Sequence, residues 1–261
     1  MKKILITGIN GYIGKSLYNT LKDKYDITGI SRDNFDLTNK ESTDIFFSNR
    51  YFDVVIHTAV KGGNRLKQDN SDILDMNLKM YYNLLNNQSH FNKFIHLGSG
   101  AELYAQDTPY GLSKHVIRQS ILDKNNFYNL RIFGIFDENE LDTRFIKSNI
   151  KRYIKGEPIE IYENKTMDFF YMKDFINLID ICINTDIELK NINCVYFKKY
   201  KLSDIAIMIN DLSYQKSEIK INKDIDKHYV GEYNLPKYEL FGLNFGIKSV
   251  YKKLIDTSVV I

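Results

Sequence analysis

The chain is poor in the residues that staple a fold or anchor it in a membrane. Its 261 residues contain two cysteines, Cys182 and Cys194, neither in a CxxC pattern nor beside a His/Cys cluster. A disulfide framework and a structural zinc site are therefore poorly supported, and a reducing cytoplasm is the expected compartment. There are three prolines, and no Pro/Gly/Ser-rich linker or internal repeat divides the sequence. No segment offers about 18 uninterrupted apolar residues, so no membrane partner is expected. The opening Met1-Lys2-Lys3-Ile4-Leu5-Ile6 has the charge of a secretory signal, but its apolar run stops at Thr7-Gly8 and reads as a buried first strand. An excess of one charge is lacking too. The 36 basic and 33 acidic side chains leave +3, without a dense basic run, which argues against a nucleic-acid partner.

What is present is an ordered composition, 43% hydrophobic and 26% charged, arranged in alternating periods. Strand-like runs at 2–7, 27–31, 53–58, 93–98 and 128–133 alternate with helical patterns at 12–23, 41–49, 72–88 and 110–124. That alternation implies parallel pairing through right-handed crossovers, hence an α/β fold with a doubly wound sheet. Beyond 137 the elements shorten: helices near 143–155, 173–183, 202–212 and 247–255, with strand-like runs at 159–162 and 194–197. The expected division is a nucleotide-binding domain over 1–137, also receiving about 168–198. Most of 138–261 is expected to form a small C-terminal substrate-binding cap, packed on the sheet as one wall of a cleft.

Three stretches carry chemistry. Gly8, Gly11 and Gly14 occupy the turn from the first strand to the first helix, in Thr7-Gly8-Ile9-Asn10-Gly11-Tyr12-Ile13-Gly14. Glycines there permit a tight turn and bring backbone N–H groups of a helix N-terminus up to a pyrophosphate. Tyr110 and Lys114 lie four apart in Pro109-Tyr110-Gly111-Leu112-Ser113-Lys114. On one helix face, the ammonium can stabilise a phenolate. Tyr18/Lys22 and Tyr233/Lys237 share that spacing, so the setting of Tyr110 carries the argument, not the spacing alone. Ser99, in Leu97-Gly98-Ser99-Gly100-Ala101-Glu102-Leu103-Tyr104, ends a predicted strand at the sheet edge where such folds bind ligands.

The GxxGxxG turn and the PYGxSK wording resemble the extended short-chain dehydrogenase/reductase family, also called the NAD-dependent epimerase/dehydratase family, and in particular its nucleotide-sugar 4-keto reductases such as GDP-fucose synthases. The resemblance extends to His57-Thr58-Ala59-Val60-Lys61-Gly62-Gly63, Asn77, Arg131-Ile132-Phe133-Gly134, Met167-Asp168-Phe169-Phe170-Tyr171-Met172-Lys173-Asp174 and Tyr233-Asn234-Leu235-Pro236-Lys237. It implies a Rossmann-like domain in which Gly8, Asn10, Gly11, Tyr12, Ile13, Gly14, Asp36, Leu37, Thr58, Ala59, Val60, Asn77 and Phe133 bind the cofactor together with Tyr110 and Lys114. Tyr110, Lys114 and Ser99 would be catalytic; Lys61, Gly100, Glu102 and Arg144 are candidate substrate contacts. It also implies a homodimer through helices near 72–88 and 110–124. Three features depart from the family pattern. Ser99 stands five residues before Tyr104 where four are usual, Met167 replaces an expected arginine, and the segment 104–109 is short.

The end of the second strand reads Gly29-Ile30-Ser31-Arg32. A guanidinium with a neighbouring hydroxyl complements a ribose 2′-phosphate, which favours NADP(H). Were the strand to end one or two residues later, Asp33 would instead serve as an acidic reader of NAD(H). NADP suits net reduction, and Gly100-Ala101 replace the acidic pair that dehydratase relatives carry. The expected reaction is hydride transfer from NADPH to a keto group of a nucleotide-linked 4-keto-6-deoxy sugar, with Tyr110 as proton donor. An epimerase or epimerase/reductase would need further acid/base groups, with Glu102 the evident candidate, and a non-catalytic NADP-binding protein is the alternative from another class. His57 and His96, on predicted buried strands, read as hydrogen-bonded core residues.

Overall fold

The computed structural model describes residues 1–63 and 69–258. In chain order the elements are β1 (Lys3–Thr7), α1 (Tyr12–Leu21), β2 (Asp26–Ile30), α2 (Lys40–Ser48), β3 (Phe52–His57), α3 (Asp72–Asn86), β4 (Phe91–Ser99), α4 (Ala101–Tyr104), α5 (Pro109–Leu122) and β5 (Phe127–Ile132). There follow β6 (Ile135–Phe136), α6 (Phe145–Ile154), β7 (Ile159–Ile161), β8 (Asn164–Met167), β9 (Phe170–Tyr171), α7 (Met172–Asn184), β10 (Asn191–Cys194), α8 (Leu202–Asn210), β11 (Ile219–Ile221), β12 (Asp224–Tyr229) and α9 (Leu243–Ser258). The chain forms two compact units, 1–131 with 178–192, and 132–177 with 193–261.

The first unit is built on a six-stranded sheet ordered β10-β5-β4-β3-β1-β2, in which β1 runs parallel to β2 and β3, and β3 to β4. The apolar runs that make β1 and β3 are buried from Ile4 to Ile6 and from Val54 to Ile56, as strands covered on both faces must be. From β1 the chain steps to β2 on one side and β3 lies on the other, so the strand order reverses beside β1, where crevices open at the carboxyl ends. Phe52, Phe91, Phe94 and Phe127 of the strands cluster with Phe47, Tyr81, Ile117 and Ile121 of the helices, with Phe94 and Phe127 stacked at 5.0 Å.

Two lysines close the C-terminal end of α7. Lys93 of β4, buried at 5% exposure, donates to the carbonyls of Cys182 at 2.7 Å and Thr185 at 2.8 Å, and Lys2 donates to that of Ile183 at 2.8 Å. The last carbonyls of a helix have no intrahelical partner and carry the negative pole, so an ammonium satisfies them twice over.

The second unit has its own core, in which Ile146, Ile150 and Tyr153 of α6 meet Ile205 and Ile209 of α8 and Ile247 and Val250 of α9. Around it run the parallel pairs β7–β11, β8–β12 and β6–β9. Two buried aspartates of the 167–174 stretch anchor its loops. Asp168 accepts from Lys199 Nζ at 2.7 Å and the Gly231 N–H at 2.8 Å. Asp174 accepts from the N–H groups of Phe241 at 2.8 Å and Gly242 at 3.0 Å. Met167 is buried in the core.

The expected strand at 194–197 begins instead at Asn191. Pairing set its place: the Asn129 N–H on β5 binds the Lys190 carbonyl at 2.8 Å, which draws the polar residues before Cys194 into the sheet. Strands β8 and β12 were not expected because Asn164–Met167 and Asp224–Tyr229 are largely polar and lack the apolar alternation that signals a strand, and β11 because its alternation spans only Ile219–Ile221.

Replacing Lys93 by Met keeps the apolar stem but leaves the buried Cys182 carbonyl and the part-buried Thr185 carbonyl without their charged donor. The expected loss of unfolding free energy is about 1.5–3 kcal/mol, read from urea denaturation at pH 7; a change within a few tenths would show that the cap is immaterial.

Candidate functional site

The glycine turn is held by contacts that leave no space for side chains. Gly8 has φ +70°, and a Cβ there would lie 2.7 Å from the Ala59 backbone, so residue 8 must be glycine on both counts. Thr58 Oγ donates to the Thr7 carbonyl at 2.6 Å, and the Ala59 N–H donates to Thr7 Oγ at 3.1 Å. The loop after β3 is thereby bolted to the turn after β1. Gly11 is the N-cap of α1 with no side-chain cap, and the first turn has no acidic residue, which leaves a positive helix pole suited to a phosphate.

Beside the turn opens a cleft of about 360 Å³, lined by Gly8, Asn10 and Gly11, by the stretch from Ile30 to Asp33 and on to Phe35, Asp36, Leu37 and Thr38, by Thr58 to Lys61, and by Met76 and Met80. Most of the predicted adenosine-side residues therefore converge. Asn10 Nδ2 donates to Ser31 Oγ at 3.1 Å and to Asp33 Oδ2 at 2.7 Å, tying the turn to the loop after β2. That occupies one oxygen of the carboxylate that would otherwise read a ribose hydroxyl. Arg32 is exposed at this loop, and no ion pair or hydrogen bond of its guanidinium occurs among the described residues. Asp36 Oδ1 caps its own turn, accepting from the Thr38 N–H at 2.9 Å and Oγ at 2.8 Å. Phe35, Met76 and Met80 were not foreseen: two come from α3, and only the fold brings its apolar face to this cleft. These residues fit a dinucleotide: a glycine turn at a helix N-terminus, an apolar wall, and an exposed guanidinium at the rim.

Tyr110 and Lys114 fall on consecutive turns of α5, which starts at Pro109 and is capped by Thr108 Oγ accepting from the Gly111 N–H at 3.0 Å. The Lys114 ammonium lies 5.8 Å from the Tyr110 ring centroid and donates to the Leu97 carbonyl at 2.6 Å. Burial lowers its pKa to about 8, with the field of Glu102 working in the opposite direction. A Cβ at Gly63 would come within 2.8 Å of the Tyr110 ring, at φ +73°, so glycine backbone lies against the phenol. Ala59 touches Gly8 and Gly63 touches Tyr110; four residues of chain separate the two contacts, at most about 14 Å.

Asn77, expected at the cofactor, commits its amide to this loop: Oδ1 accepts from the Lys61 N–H at 2.8 Å, while Nδ2 donates to the Lys61 carbonyl at 3.0 Å and to Ser113 Oγ at 3.0 Å. Lys61 Nζ pairs with Asp72 at 2.6 Å. Ser99, at the end of β4, accepts from the Ala101 N–H at 3.2 Å, Gly100 is the N-cap of α4, and the hydroxyl hydrogen of Ser99 is not used in that bond. Tyr12, Ile13, Gly14, Asn77, Ser99, Gly100, Tyr110 and Lys114 do not line the cleft. Phe133 and Arg144 belong to the second unit, where Phe133 packs on Tyr229 at 5.5 Å and Arg144 is the N-cap of α6.

Glu102 is a correction. It was expected to meet substrate, but it is 0% exposed and pairs with Arg131, while Asn129 Nδ2 donates to its two oxygens at 3.0 and 3.3 Å. The extra acid/base group that an epimerase would need is thus spent in the interior. Of the two core histidines, His57 is hydrogen-bonded as expected, its Nδ1 2.9 Å from Thr7 Oγ. Neither ring nitrogen of His96 has a partner among the described residues. Burial lowers the pKa of His57 to about 3 and that of His96 well below the usual range.

The model of the NAD dependent epimerase/dehydratase family matches residues 4–194. A CDP-abequose synthase of Yersinia pseudotuberculosis is 24% identical over 210 residues, covering 70% of this chain and 74% of the relative. Among solved structures, a GDP-mannoheptose C4 reductase from Campylobacter jejuni with NADP bound superposes with a TM-score of 0.79 at 17% identity, covering 97% of this chain and 98% of the other. A dTDP-glucose 4,6-dehydratase from Bacillus anthracis in complex with NAD does so with 0.78 at 15% identity, covering 99% and 98%.

The buried His57 gives the stability a pH signature. The unfolded chain takes up a proton near pH 6.5, the ordinary histidine value, whereas the folded site stays neutral until about 3. The contribution is therefore complete above about 6.5 and is lost as pH falls below it, at up to ~1.4 kcal/mol per pH unit. Urea-derived stabilities of the wild type should fall more steeply from pH 6.5 to 4.5 than those of His57→Gln; parallel slopes would count against a neutral buried imidazole.

Proposed function

This chain belongs to the NAD dependent epimerase/dehydratase family and is an oxidoreductase enzyme of its nicotinamide-dinucleotide-dependent, nucleotide-sugar-modifying kind; we propose that it is an NADPH-dependent reductase of a keto group on a nucleotide-linked 4-keto-6-deoxy sugar. The observation that carries the reading is the pairing on α5. A phenol sits one helical turn from a buried ammonium, at the far end of a short loop whose near end is fastened to the glycine turn.

In this reading the backbone of Gly8, Asn10, Gly11, Tyr12, Ile13 and Gly14 holds the pyrophosphate, Ser31 and Arg32 hold the 2′-phosphate, and Asp36, Leu37, Thr58, Ala59 and Val60 shape the remainder of the cofactor site. NADPH, when bound, supplies the hydride. Tyr110 gives its phenolic proton to the oxygen of the carbonyl being reduced, and Lys114 favours the phenolate left behind, since a nearby cation stabilises the charged form. Ser99 donates its hydroxyl hydrogen to the same oxygen as charge develops. Lys61 and Gly100 remain the candidate substrate contacts. Reduction is preferred to epimerisation or dehydration because Glu102 is locked to Arg131 and Gly100-Ala101 offer no acid or base.

The enzyme is read as cytoplasmic, on a sequence with only two cysteines and neither in a CxxC pattern, and among the described residues no helix is long and apolar enough to cross a membrane. A second copy of the chain is the proposed partner, through the outer faces of α3 and α5, where Tyr82, Leu112 and Leu122 are exposed.

Two measurements test this. With CDP- and GDP-linked 4-keto-6-deoxy sugars offered, Tyr110→Phe should lower kcat at saturating NADPH by about 10²–10⁴-fold; near-complete turnover would sink the assignment. Arg32→Ser should weaken NADPH binding by about 10–100-fold, the worth of a charge-assisted phosphate contact, and leave NADH binding as it was. Equal effects on both cofactors would remove Arg32 as the 2′-phosphate reader.

A further inference from the structure

Gly62 and Gly63 follow Lys61 in the loop after β3 and have no part in the function proposed above. Both lie in the left-handed region, with φ +83° and +73°, where a side chain is strained. Each also stands against a different neighbour. A Cβ at Gly62 would lie 2.7 Å from Cδ1 of Ile73, in the first turn of α3. One at Gly63 would lie 2.8 Å from Cε2 and Cζ of Tyr110 and 3.1 Å from Cε1. The glycine pair therefore threads between α3 and the hydroxyl-bearing end of the Tyr110 ring.

The loop is not free to retreat. The Lys61 N–H donates to Asn77 Oδ1 at 2.8 Å and its carbonyl accepts from Asn77 Nδ2 at 3.0 Å, while Lys61 Nζ pairs with Asp72 at 2.6 Å. The Gly63 N–H donates to Asp69 Oδ1 at 3.1 Å, and Ile73 stands behind Gly62. Asp72, Ile73 and Asn77 all belong to α3. The backbone of α5 is tied to the same helix: Ser113 Oγ accepts from Asn77 Nδ2 at 3.0 Å and donates to the Tyr110 carbonyl at 2.7 Å. Loop backbone and helix backbone are thus both fixed to Asn77. What can still turn is the Tyr110 side chain about its own bonds, and the bare backbone of Gly63 is a surface that limits it. Carbon atoms in contact rest about 3.5–4.0 Å apart, so a methyl group at position 63 would drive the ring back by about 1 Å.

We propose that Gly63 is a positioning residue: its backbone, held against α3 by Asp69, Ile73 and the Asn77 clamp, sets the orientation of the Tyr110 phenol, and a side chain there turns the phenol away from the carbonyl to be reduced. The proposal rests on the reading of Tyr110 as proton donor. It gives Gly63 no contact with substrate and no share in the proton given to the sugar.

The test combines crystal structures of the full-length wild type and Gly63→Ala with kinetics. The Tyr110 ring of Gly63→Ala is expected about 1 Å from its wild-type place, with the contacts of Asn77 to Lys61 and Ser113 kept; a ring left in place while the loop swings aside overturns the proposal. With the nucleotide-linked keto sugars offered above and NADPH saturating, Gly63→Ala should lower kcat by about 10–100-fold, the effect of misplacing a reacting group by about 1 Å. In a Tyr110→Phe background the same substitution should change the residual kcat by less than about threefold, because losses that pass through one group do not multiply. Equal factors in the two backgrounds would show that Gly63 acts elsewhere and overturn the proposal. If Gly63→Ala fails to fold, Gly63→Ala/Tyr110→Ala, which removes the ring, should fold; failure of both would mean that the glycine serves only its own loop. The ring position is read without turnover, so the two readings separate. An unmoved ring with Tyr110→Phe inactive discards Gly63 alone, and a displaced ring with Tyr110→Phe fully active keeps Gly63 as what sets the ring while discarding the ring as proton donor.

Discussion

Backbone packed against backbone, with no side chain between, is the constraint on which the first unit is organised. Gly8 meets Ala59 so closely that a single methyl group would separate them, and the Thr7 and Thr58 hydroxyls fasten the contact from either side. Because β1 and β3 are neighbours in the sheet, the loops leaving their carboxyl ends must share one narrow space, and glycine is what that space admits. The loop after β3 then runs on to Gly63 and the Tyr110 ring, with Asn77 clamping it midway. The same contact that closes the fold thus sets how far α5 stands from the glycine turn.

A second constraint is electrostatic. The interior beneath α5 holds an ammonium, a carboxylate, a guanidinium and two imidazoles, all nearly excluded from water. Such a cluster is tolerable only when its charges compensate one another, since a lone buried ion costs several kcal/mol. Here Glu102 and Arg131 compensate each other, the imidazoles stay neutral, and Lys114 finds a carbonyl. Lysines do comparable work at the foot of α7, where Lys2 and Lys93 meet the orphan carbonyls of a helix end. In this first unit, buried polar groups serve mostly to hold backbone in place.

The alternating pattern of β-branched runs and amphipathic helices was enough to place β1 to β5 and α1 to α3 and α5 within a residue or two, because those elements bury continuous apolar stripes whose period is written in the sequence. The second unit was less legible. Its strands β8 and β12 are largely polar and β11 is only three residues long, and their pairing depends on partners dozens of residues away. Motif and spacing likewise picked out Gly8, Gly11, Tyr110 and Lys114, since a turn and a single helix are local objects.

What the sequence determined by itself was therefore whatever a turn or a helix can specify on its own: the glycine turn, the four-residue spacing of phenol and ammonium, the arginine after β2, and the order of strands and helices. Only the tertiary structure decided which side chains those elements would meet. It turned Glu102 inward to Arg131, spent the Asn77 amide on the Lys61 backbone, and brought Met76 and Met80 to the cleft. The physical reason is that burial and pairing are properties of the space between elements, and that space exists only once the sheet has ordered them.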